Sequence, residues 1–408
     1  MKKNSLLLGL AALLLSISIL AGCRPGAASP GQNAPTPSAP MAAVSQPTQT
    51  SAVEAGSQEL LALLEQRAAA VNSADQKLYL STVLPSDAVL QTEERNLIRA
   101  ASGLGITDYA LNAGNIEQQS EGLAALLEQS YTVGGQKRSA SFTAVFQIEN
   151  GKLYYAGPKF LLKEGEHARV YYSQADEDLA NQLLEAETQT LGQMMNLLDF
   201  TPNGYITIKL FDDQQVFLQS VKLDLPEWVG GWHEYGESIK SFTGAYGSNA
   251  ANYKHMLNHE SSHRMVSELS NDNASYWLQE GLAGVFENWL DNPSEPWLSA
   301  AEAMMEYTPY AKHKTIDLEK IGTDDSSAVM LYYASSKAYA AFLMDQYGWG
   351  KMREALEYMK KFELIPVTAA EKIQETNERT GEAVKAVFGL DDSNMQAGFE
   401  QWLADLRK

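Results

Sequence analysis

The feature that most constrains this chain is a pair of histidines, His259 and His263, in a stretch without proline or glycine. Residues 252–269 are therefore predicted to form a helix, and residues four apart lie on the same helix face. Both imidazoles can then reach one metal ion, with Glu260 beside them in a position suited to polarising a metal-bound water. The alternative is a chance match to such a site.

A second predicted helix follows closely and carries a further carboxylate. Asn271-Asp272-Asn273 forms a turn and capping cluster, and residues 275–290 have apolar side chains at helical spacing. Glu280 falls in the first turns among these apolar neighbours, where a buried acid needs a partner. A role as third metal ligand would supply one, whereas a solvated helix glutamate is the alternative interpretation.

Together the two stretches resemble a known family of metallopeptidases, the gluzincins, and within it the bacterial peptidase-MA-like domains. The family's pattern is HExxH followed by W-L-x-E-G-x-A, and the matching residues here are His259-Glu260-Ser261-Ser262-His263 and Trp277-Leu278-Gln279-Glu280-Gly281-Leu282-Ala283. The resemblance covers about residues 166–408. It implies a zincin fold and one Zn²⁺ per chain, with ligands His259, His263 and Glu280 and with Glu260 as general base.

The resemblance also implies a tyrosine or histidine that stabilises the oxyanion. Residues 331–336, Leu-Tyr-Tyr-Ala-Ser-Ser, are similar to the family's Y-x-x-S segment ahead of a Tyr-Gly turn, so Tyr333 is predicted as this catalytic residue. Tyr332 is the rival, an ordinary core tyrosine is the alternative for either, and His233 is a weaker option. His255 is expected to face solvent rather than support the site.

One position departs from the thermolysin-like enzymes, which have an acid four residues after the ligand glutamate. Gly284 stands there in this chain. Support for a metal-binding histidine is therefore expected from elsewhere, with Glu287 or backbone carbonyl groups as the candidates.

The first residues indicate export and membrane anchoring. Lys2 and Lys3 precede an apolar run that is shorter than the ~20 residues a membrane span needs, as in a signal peptide. Residues 20–23, Leu-Ala-Gly-Cys, resemble a bacterial lipobox, which implies that Cys23, the only cysteine, is acylated. A stray cysteine after a transmembrane anchor is the alternative. We therefore predict a signal peptide over residues 1–22 and a lipid-anchored protein on the extracytoplasmic face of a bacterial cell membrane.

Two segments follow the predicted anchor. Residues 23–56 are mostly Pro, Ala, Ser, Gln and Thr, which bury too little surface to fold, so a disordered tether is predicted. Residues 57–165 combine helices with strands separated by hairpin signals. Their order is similar to the cone-shaped nuclear-transport-factor-like and cystatin-like folds. Without a catalytic constellation, this α+β domain is expected to be an accessory that could bind a protein partner.

Residues 166–408 are expected to form the second domain, also of the α+β class. Strands and helices alternate over residues 166–250, which is typical of a β-sheet N-lobe, and residues 238–242 are predicted as its exposed edge strand. From about residue 291 the pattern is helical and predicts a C-lobe.

The leading hypothesis is a membrane-anchored, extracytoplasmic zinc metallopeptidase that hydrolyses a peptide or protein substrate. An endopeptidase is favoured because no exopeptidase motif precedes the first ligand. The alternative is a non-proteolytic binding or scaffolding lipoprotein with a zincin fold, and hydrolysis of a non-peptide amide or a cell-wall peptide stays open. A formal net charge of −20 argues against nucleic acid, since phosphates would be repelled.

Overall fold

The computed structural model describes residues 49–227, 229–248, 250–294, 296–318, 321, 326–365 and 371–408. Helices account for 53% and strands for 21%, which places the chain in the mixed α+β class. The chain divides into two compact units, and the second unit is discontinuous. The first contains the residues up to Asp87 together with Leu97–Lys159, and the second contains Ala88–Asn96 together with Phe160–Lys408.

The predicted signal peptide, Cys23 and the tether up to residue 48 lie outside the described residues. The first helix, α1, spans Gln49–Asn72 and so begins inside the segment predicted as a tether. This boundary was wrong because residues 49–56 contain the helix formers Gln, Ala and Glu and follow the last proline of the segment. Among the described residues, no helix is long and apolar enough to cross a membrane.

The first unit is built on a four-stranded antiparallel meander. Its helices are α1, α2 (Gln76–Leu80) and part of α3 (Ala88–Gly103). Its strands pair in chain order and are β1 (Thr107–Gln119), β2 (Gly122–Val133), β3 (Gln136–Glu149) and β4 (Lys152–Pro158). The hairpin signals in this segment of the sequence are Gly134-Gly135 and Asn150-Gly151. Both are confirmed as turns between paired strands, and all four residues have positive φ.

The second unit contains a five-stranded mixed sheet in the order β5-β6-β7-β9-β8. The strands are β5 (Leu161–Glu164), β6 (Ala168–Tyr172), β7 (Ile206–Phe211), β8 (Gly231–Trp232) and β9 (Ile239–Phe242). The prediction that residues 238–242 form the sheet edge was wrong, because β8 pairs antiparallel with β9 and covers it. A two-residue strand that begins with glycine carries no strand pattern, so the true edge was not recognised.

Helices complete the second unit. They are α4 (Glu177–Leu198), α5 (Gln214–Val221), α6 (Ala250–Ser270), α7 (Tyr276–Trp289), α8 (Ala300–Ala303), α9 (Tyr310–His313), α10 (Ser326–Met359), α11 (Lys372–Phe388) and α12 (Asp392–Leu406), with the short strand β10 (Ala245–Ser248) before α6. The range called α10 consists of two helices that meet at Gly348, whose φ of 76° and ψ of 172° are not helical. Helix α6 packs against both α4 and α7, and α7 also packs against α10. These contacts set the position of the histidines.

Candidate metal centre

Helices α6 and α7 bring His259, His263 and Glu280 together. One ligand atom from each lies within 4.8 Å of the others. Glu280 Oε2 is 3.4 Å from His259 Nε2 and 3.7 Å from His263 Nε2. The four-residue spacing on α6 holds the imidazole ring centroids 4.9 Å apart. The three residues predicted as ligands therefore form one partly buried cluster.

The donor set fits a divalent cation. Glu280 Oε2 is buried without a well-formed hydrogen bond, and a buried carboxylate oxygen is stabilised by a cation beside it. Two imidazoles and one carboxylate are also the ligands that a catalytic zinc site uses when it leaves a position open for water. The residues present thus fit the zinc ion that the resemblance implies.

The electrostatics of the two histidines differ. Although burial opposes it, the carboxylates of Glu280 and Glu287 raise the pKa of His259 well above its usual range. Burial lowers the pKa of His263. In the metal-free protein a proton on His259 balances the carboxylates, so a metal ion that takes this place must displace it.

The Nδ1 atom of each histidine, which is not the nitrogen nearest Glu280, lies near a side-chain oxygen. His259 Nδ1 lies 3.9 Å from Glu287 Oε2, and His263 Nδ1 lies 3.4 Å from Gln279 Oε1. The amide of Gln279 in turn donates to Ser267 Oγ at 3.0 Å. Of the two candidates that the sequence left open for this support, the carboxylate of Glu287 is the one beside His259.

Gly284 stands where the thermolysin-like enzymes have an acid, and the side chain of Lys337 fills the space beside it. A Cβ on Gly284 would lie 3.3 Å from Cβ of Lys337 on α10, so the space is filled by that stem. His255 is only partly solvent-facing, since its Nδ1 lies 3.0 Å from the backbone carbonyl oxygen of Glu287. It therefore packs at the margin of the site.

Glu260 has the protonation behaviour of a general base. Burial raises its pKa to about 7, against the charge of His259, which lowers it. A carboxylate with such a pKa can both accept and return a proton near neutral pH. Its Oε1 faces the edge strand, 3.6 Å from the point that a Cβ on Gly231 would occupy.

Helix α4 is joined to α6 by two hydrogen bonds between side chains whose contact the sequence did not predict. Ser261 Oγ donates to Glu187 Oε1 at 2.6 Å, and Thr190 Oγ1 donates to Asn258 Oδ1 at 2.6 Å. Burial raises the pKa of Glu187 to about 8. The only sequence signal was a glutamate among apolar positions of an amphipathic helix, and that pattern is too common to indicate a partner.

The three oxyanion candidates occupy different environments. The Glu280 carboxylate raises the pKa of Tyr333 well above its usual range, and Glu260 adds to this, which indicates that both carboxylates lie near this tyrosine. Its neighbour Tyr332 is 2% exposed and packs against the ring of His313. Burial, and then His263, hold the pKa of His233 well below its usual range, so His233 is neutral and close to the second ligand.

The predicted ligands and general base thus lie in one cluster, with Tyr333 and His233 near it. No protein-family model matches the chain, and no curated protein matches it. The function must therefore be argued from the chemistry of the cluster itself.

Proposed function

We propose that this chain is a zinc-dependent metallopeptidase that hydrolyses peptide bonds, with an endopeptidase activity on peptide or protein substrates. The observation that carries the proposal is the grouping of His259, His263 and Glu280 within 4.8 Å, with Glu260 on the same helix as the two histidines. Glu280 Oε2 is buried and the two imidazoles are its neighbours, at 3.4 and 3.7 Å, so a cation held among the three would satisfy all of these groups.

A zinc ion held by His259, His263 and Glu280 would supply Lewis-acid activation of water and of the substrate carbonyl group. Glu260, on the same helix as the two histidines, accepts the proton of the attacking water and returns it to the leaving amine. Tyr333 donates a hydrogen bond to the developing oxyanion, because its hydroxyl stays protonated beside the carboxylates. His233 is the second candidate for this contact.

The fold and location belong to the same proposal. We propose that residues 166–408 have the zincin fold in its gluzincin form, with a β-sheet N-lobe and a helical C-lobe from about residue 291. We assign the meander of the first unit to the cone-like accessory domains, where it could bind a protein partner. The lipobox-like residues 20–23 support a lipid anchor at Cys23 on the extracytoplasmic face of a bacterial membrane.

The test combines metal content with hydrolysis of an unstructured protein such as casein. Wild type, Glu260→Gln and Glu354→Gln are compared as full chains, Glu354 being an exposed glutamate of α10. We expect one zinc per chain in all three, and a loss of activity of about 10³-fold in Glu260→Gln alone.

Absence of stoichiometric zinc in the wild type would overturn both the ligand set and the mechanism. Stoichiometric zinc without cleavage by any variant would instead favour a non-proteolytic binding protein.

A further inference from the structure

A series of hydrogen bonds leads from His263 away from the metal cluster to helix α11. His263 Nδ1 is bonded to Gln279 Oε1 at 3.4 Å, and Gln279 Nε2 donates to Ser267 Oγ at 3.0 Å. Ser267 Oγ donates to Asp272 Oδ1 at 3.0 Å. Asp272 Oδ2 in turn lies 2.9 Å from Nζ of Lys372, the first residue of α11. We call these four side chains, from Gln279 to Lys372, the relay.

The relay is shielded from water. Gln279, Ser267 and Asp272 are buried, and the side chain of Lys372 is 12% exposed. A buried polar atom that loses its partner costs free energy, because water cannot replace the lost bond. Each bond of the relay should therefore keep one direction, with a fixed donor and a fixed acceptor.

The charged end of the relay sets the direction of every bond in it. A carboxylate paired with a lysine only accepts, so Asp272 requires the Ser267 hydroxyl to donate its single proton. The Ser267 oxygen then accepts from the amide NH₂ of Gln279. This turns the amide carbonyl oxygen of Gln279 towards His263, which must donate from Nδ1.

The direction of the last bond matters for metal binding. A neutral imidazole with its proton on Nδ1 has a lone pair on Nε2, and Nε2 is the His263 nitrogen that faces the cluster, 3.7 Å from Glu280 Oε2. Glu280 attracts a proton to that nitrogen, but 3.7 Å is too long for a hydrogen bond. Glu280 Oε2 lies nearer to His259 Nε2, at 3.4 Å. The lone pair of His263 Nε2 thus points where a metal ion needs it.

We propose that the relay holds His263 in the tautomer with the proton on Nδ1, the form that binds a metal ion through Nε2. Ser267, Asp272 and Lys372 are positioning residues, which act through Gln279 and touch neither a metal ion nor a substrate. The inference rests on the proposed function, because a tautomer matters here only if His263 is a ligand. It extends the support of the metal centre to α11.

The test measures the tautomer of His263 in the metal-free full chain by ¹⁵N NMR, at a pH of about 8 where a histidine with a lowered pKa is neutral. The signals of His263 are assigned by their loss in His263→Gln. We expect the wild type to have its proton on Nδ1. Ser267→Ala lets the Gln279 amide turn, so the form with the proton on Nε2 should appear.

Ser270→Ala is the matched control. Ser270 is also a buried serine of α6, but its hydroxyl donates to the carbonyl oxygen of Val266, outside the relay. This variant should lose a comparable buried hydroxyl and keep the wild-type tautomer of His263.

Two variants of Gln279 separate orientation from packing. Gln279→Glu keeps an acceptor beside His263 Nδ1 and should keep the tautomer, whereas Gln279→Met has a similar shape without a polar group and should lose it. Competition with a chelator measures zinc affinity, which should fall about 10-fold or more in Ser267→Ala and Gln279→Met. Ser270→Ala should bind zinc as the wild type does.

A wild-type His263 with its proton on Nε2, or an unchanged tautomer in both Ser267→Ala and Gln279→Met, would overturn this inference and leave the proposed function intact. If one of these two variants does not fold, the wild type and the other variant decide. Failure of the wild type to bind zinc and to cleave casein would overturn the proposed function. The tautomer of the metal-free protein would still show whether the relay orients His263.

Discussion

Gly281 faces the backbone carbonyl of Ser336 so closely that a Cβ at position 281 would lie 2.4 Å from the carbonyl oxygen. This contact joins α7 to α10 one residue after the ligand Glu280 and three residues after Tyr333 in the chain. A glycine is needed because a backbone atom, unlike a flexible side chain, cannot move aside. The contact therefore sets the spacing between the helix that carries Glu280 and the helix that carries Tyr333.

Gly281→Ala should force α7 and α10 apart and lower the free energy of unfolding by about 1–3 kcal/mol, with weaker zinc binding. Gly192→Ala is the matched control, since a Cβ on that glycine of α4 meets nothing within 4 Å. The control should be neutral or stabilising by up to about 1 kcal/mol. Denaturant unfolding measures both, and equal stability of the two variants would contradict the tight contact.

Glu287→Gln should weaken zinc binding about 10–100-fold, because the carboxylate beside His259 Nδ1 orients that imidazole and strengthens it as a ligand. Competition with a chromophoric chelator measures the affinity. Glu354→Gln, far along α10 and exposed, is the control and should bind zinc as the wild type does. Unaltered affinity in Glu287→Gln would show that His259 is oriented by other contacts.

Tyr333→Phe should lower kcat about 10²-fold with a smaller change in KM, because the lost hydroxyl donor acts mainly in the transition state. Tyr347→Phe is the matched control, since both tyrosines lie on α10 and both are 36% exposed. Steady-state kinetics on the same substrate gives the comparison. A normal kcat in Tyr333→Phe would transfer the oxyanion role to His233.

Glu93 makes stability depend on pH in the acid range. Its carboxylate lies between Lys209 and Lys240, with Oε2 2.5 Å from Lys209 Nζ and Oε1 3.7 Å from Lys240 Nζ. Burial opposes ionisation, but the two lysines lower the pKa of Glu93 from 4.5 to about 2. A lowered pKa of an acid contributes stability that is complete above its unfolded value and is lost as pH falls through the folded value.

Glu93→Gln should therefore lower the free energy of unfolding by about 3 kcal/mol at pH 7. The difference from the wild type should shrink as pH falls from 4.5 towards 2. Urea unfolding at several pH values measures it, with the exposed Glu185→Gln as control. A difference that is constant with pH would show that Glu93 is not ionised in the folded protein.

The contribution of Glu187 to the pH dependence of stability has the opposite sign from that of Glu93. Burial raises its pKa from 4.5 to about 8, so the folded protein holds a proton that the unfolded chain releases. Its stabilising contribution is present below pH 4.5 and declines as pH rises to about 8, by at most about 1.4 kcal/mol per pH unit.

Glu187→Gln cannot ionise and should lack this slope, so its stability relative to the wild type should increase between pH 5 and pH 8. Glu185→Gln, two residues earlier and exposed on the same helix, should keep the slope of the wild type. Parallel curves for wild type and Glu187→Gln would show that this carboxyl group is already charged at neutral pH.

The grouping of His259, His263 and Glu280 could be predicted from the sequence because it depends on spacing within one helix and on a short turn to the next. The contact between Ser261 and Glu187 joins residues 74 positions apart, and no local pattern encodes it. The roles of Tyr333 and of Cys23 stay predictions.

The sequence predicts the end of one helix and the start of another at Gly348, and this is confirmed, since its φ of 76° and ψ of 172° are not helical. The start of the first helix was predicted wrongly. Residues 49–56 belong to α1 because nothing stops a helix between the last proline and the apolar face that follows.

Because the second unit is discontinuous in sequence, it cannot be produced from one continuous segment of the chain. Residues Ala88–Asn96 are made before the whole meander, yet they belong with the unit that holds the metal cluster. A chain started at residue 160 would leave Lys209 without the carboxylate of Glu93, a buried cation with no counter-ion from that segment. No single cleavage of the chain separates the two units. A fusion protein that contained only the C-terminal part would lack Ala88–Asn96 of the second unit.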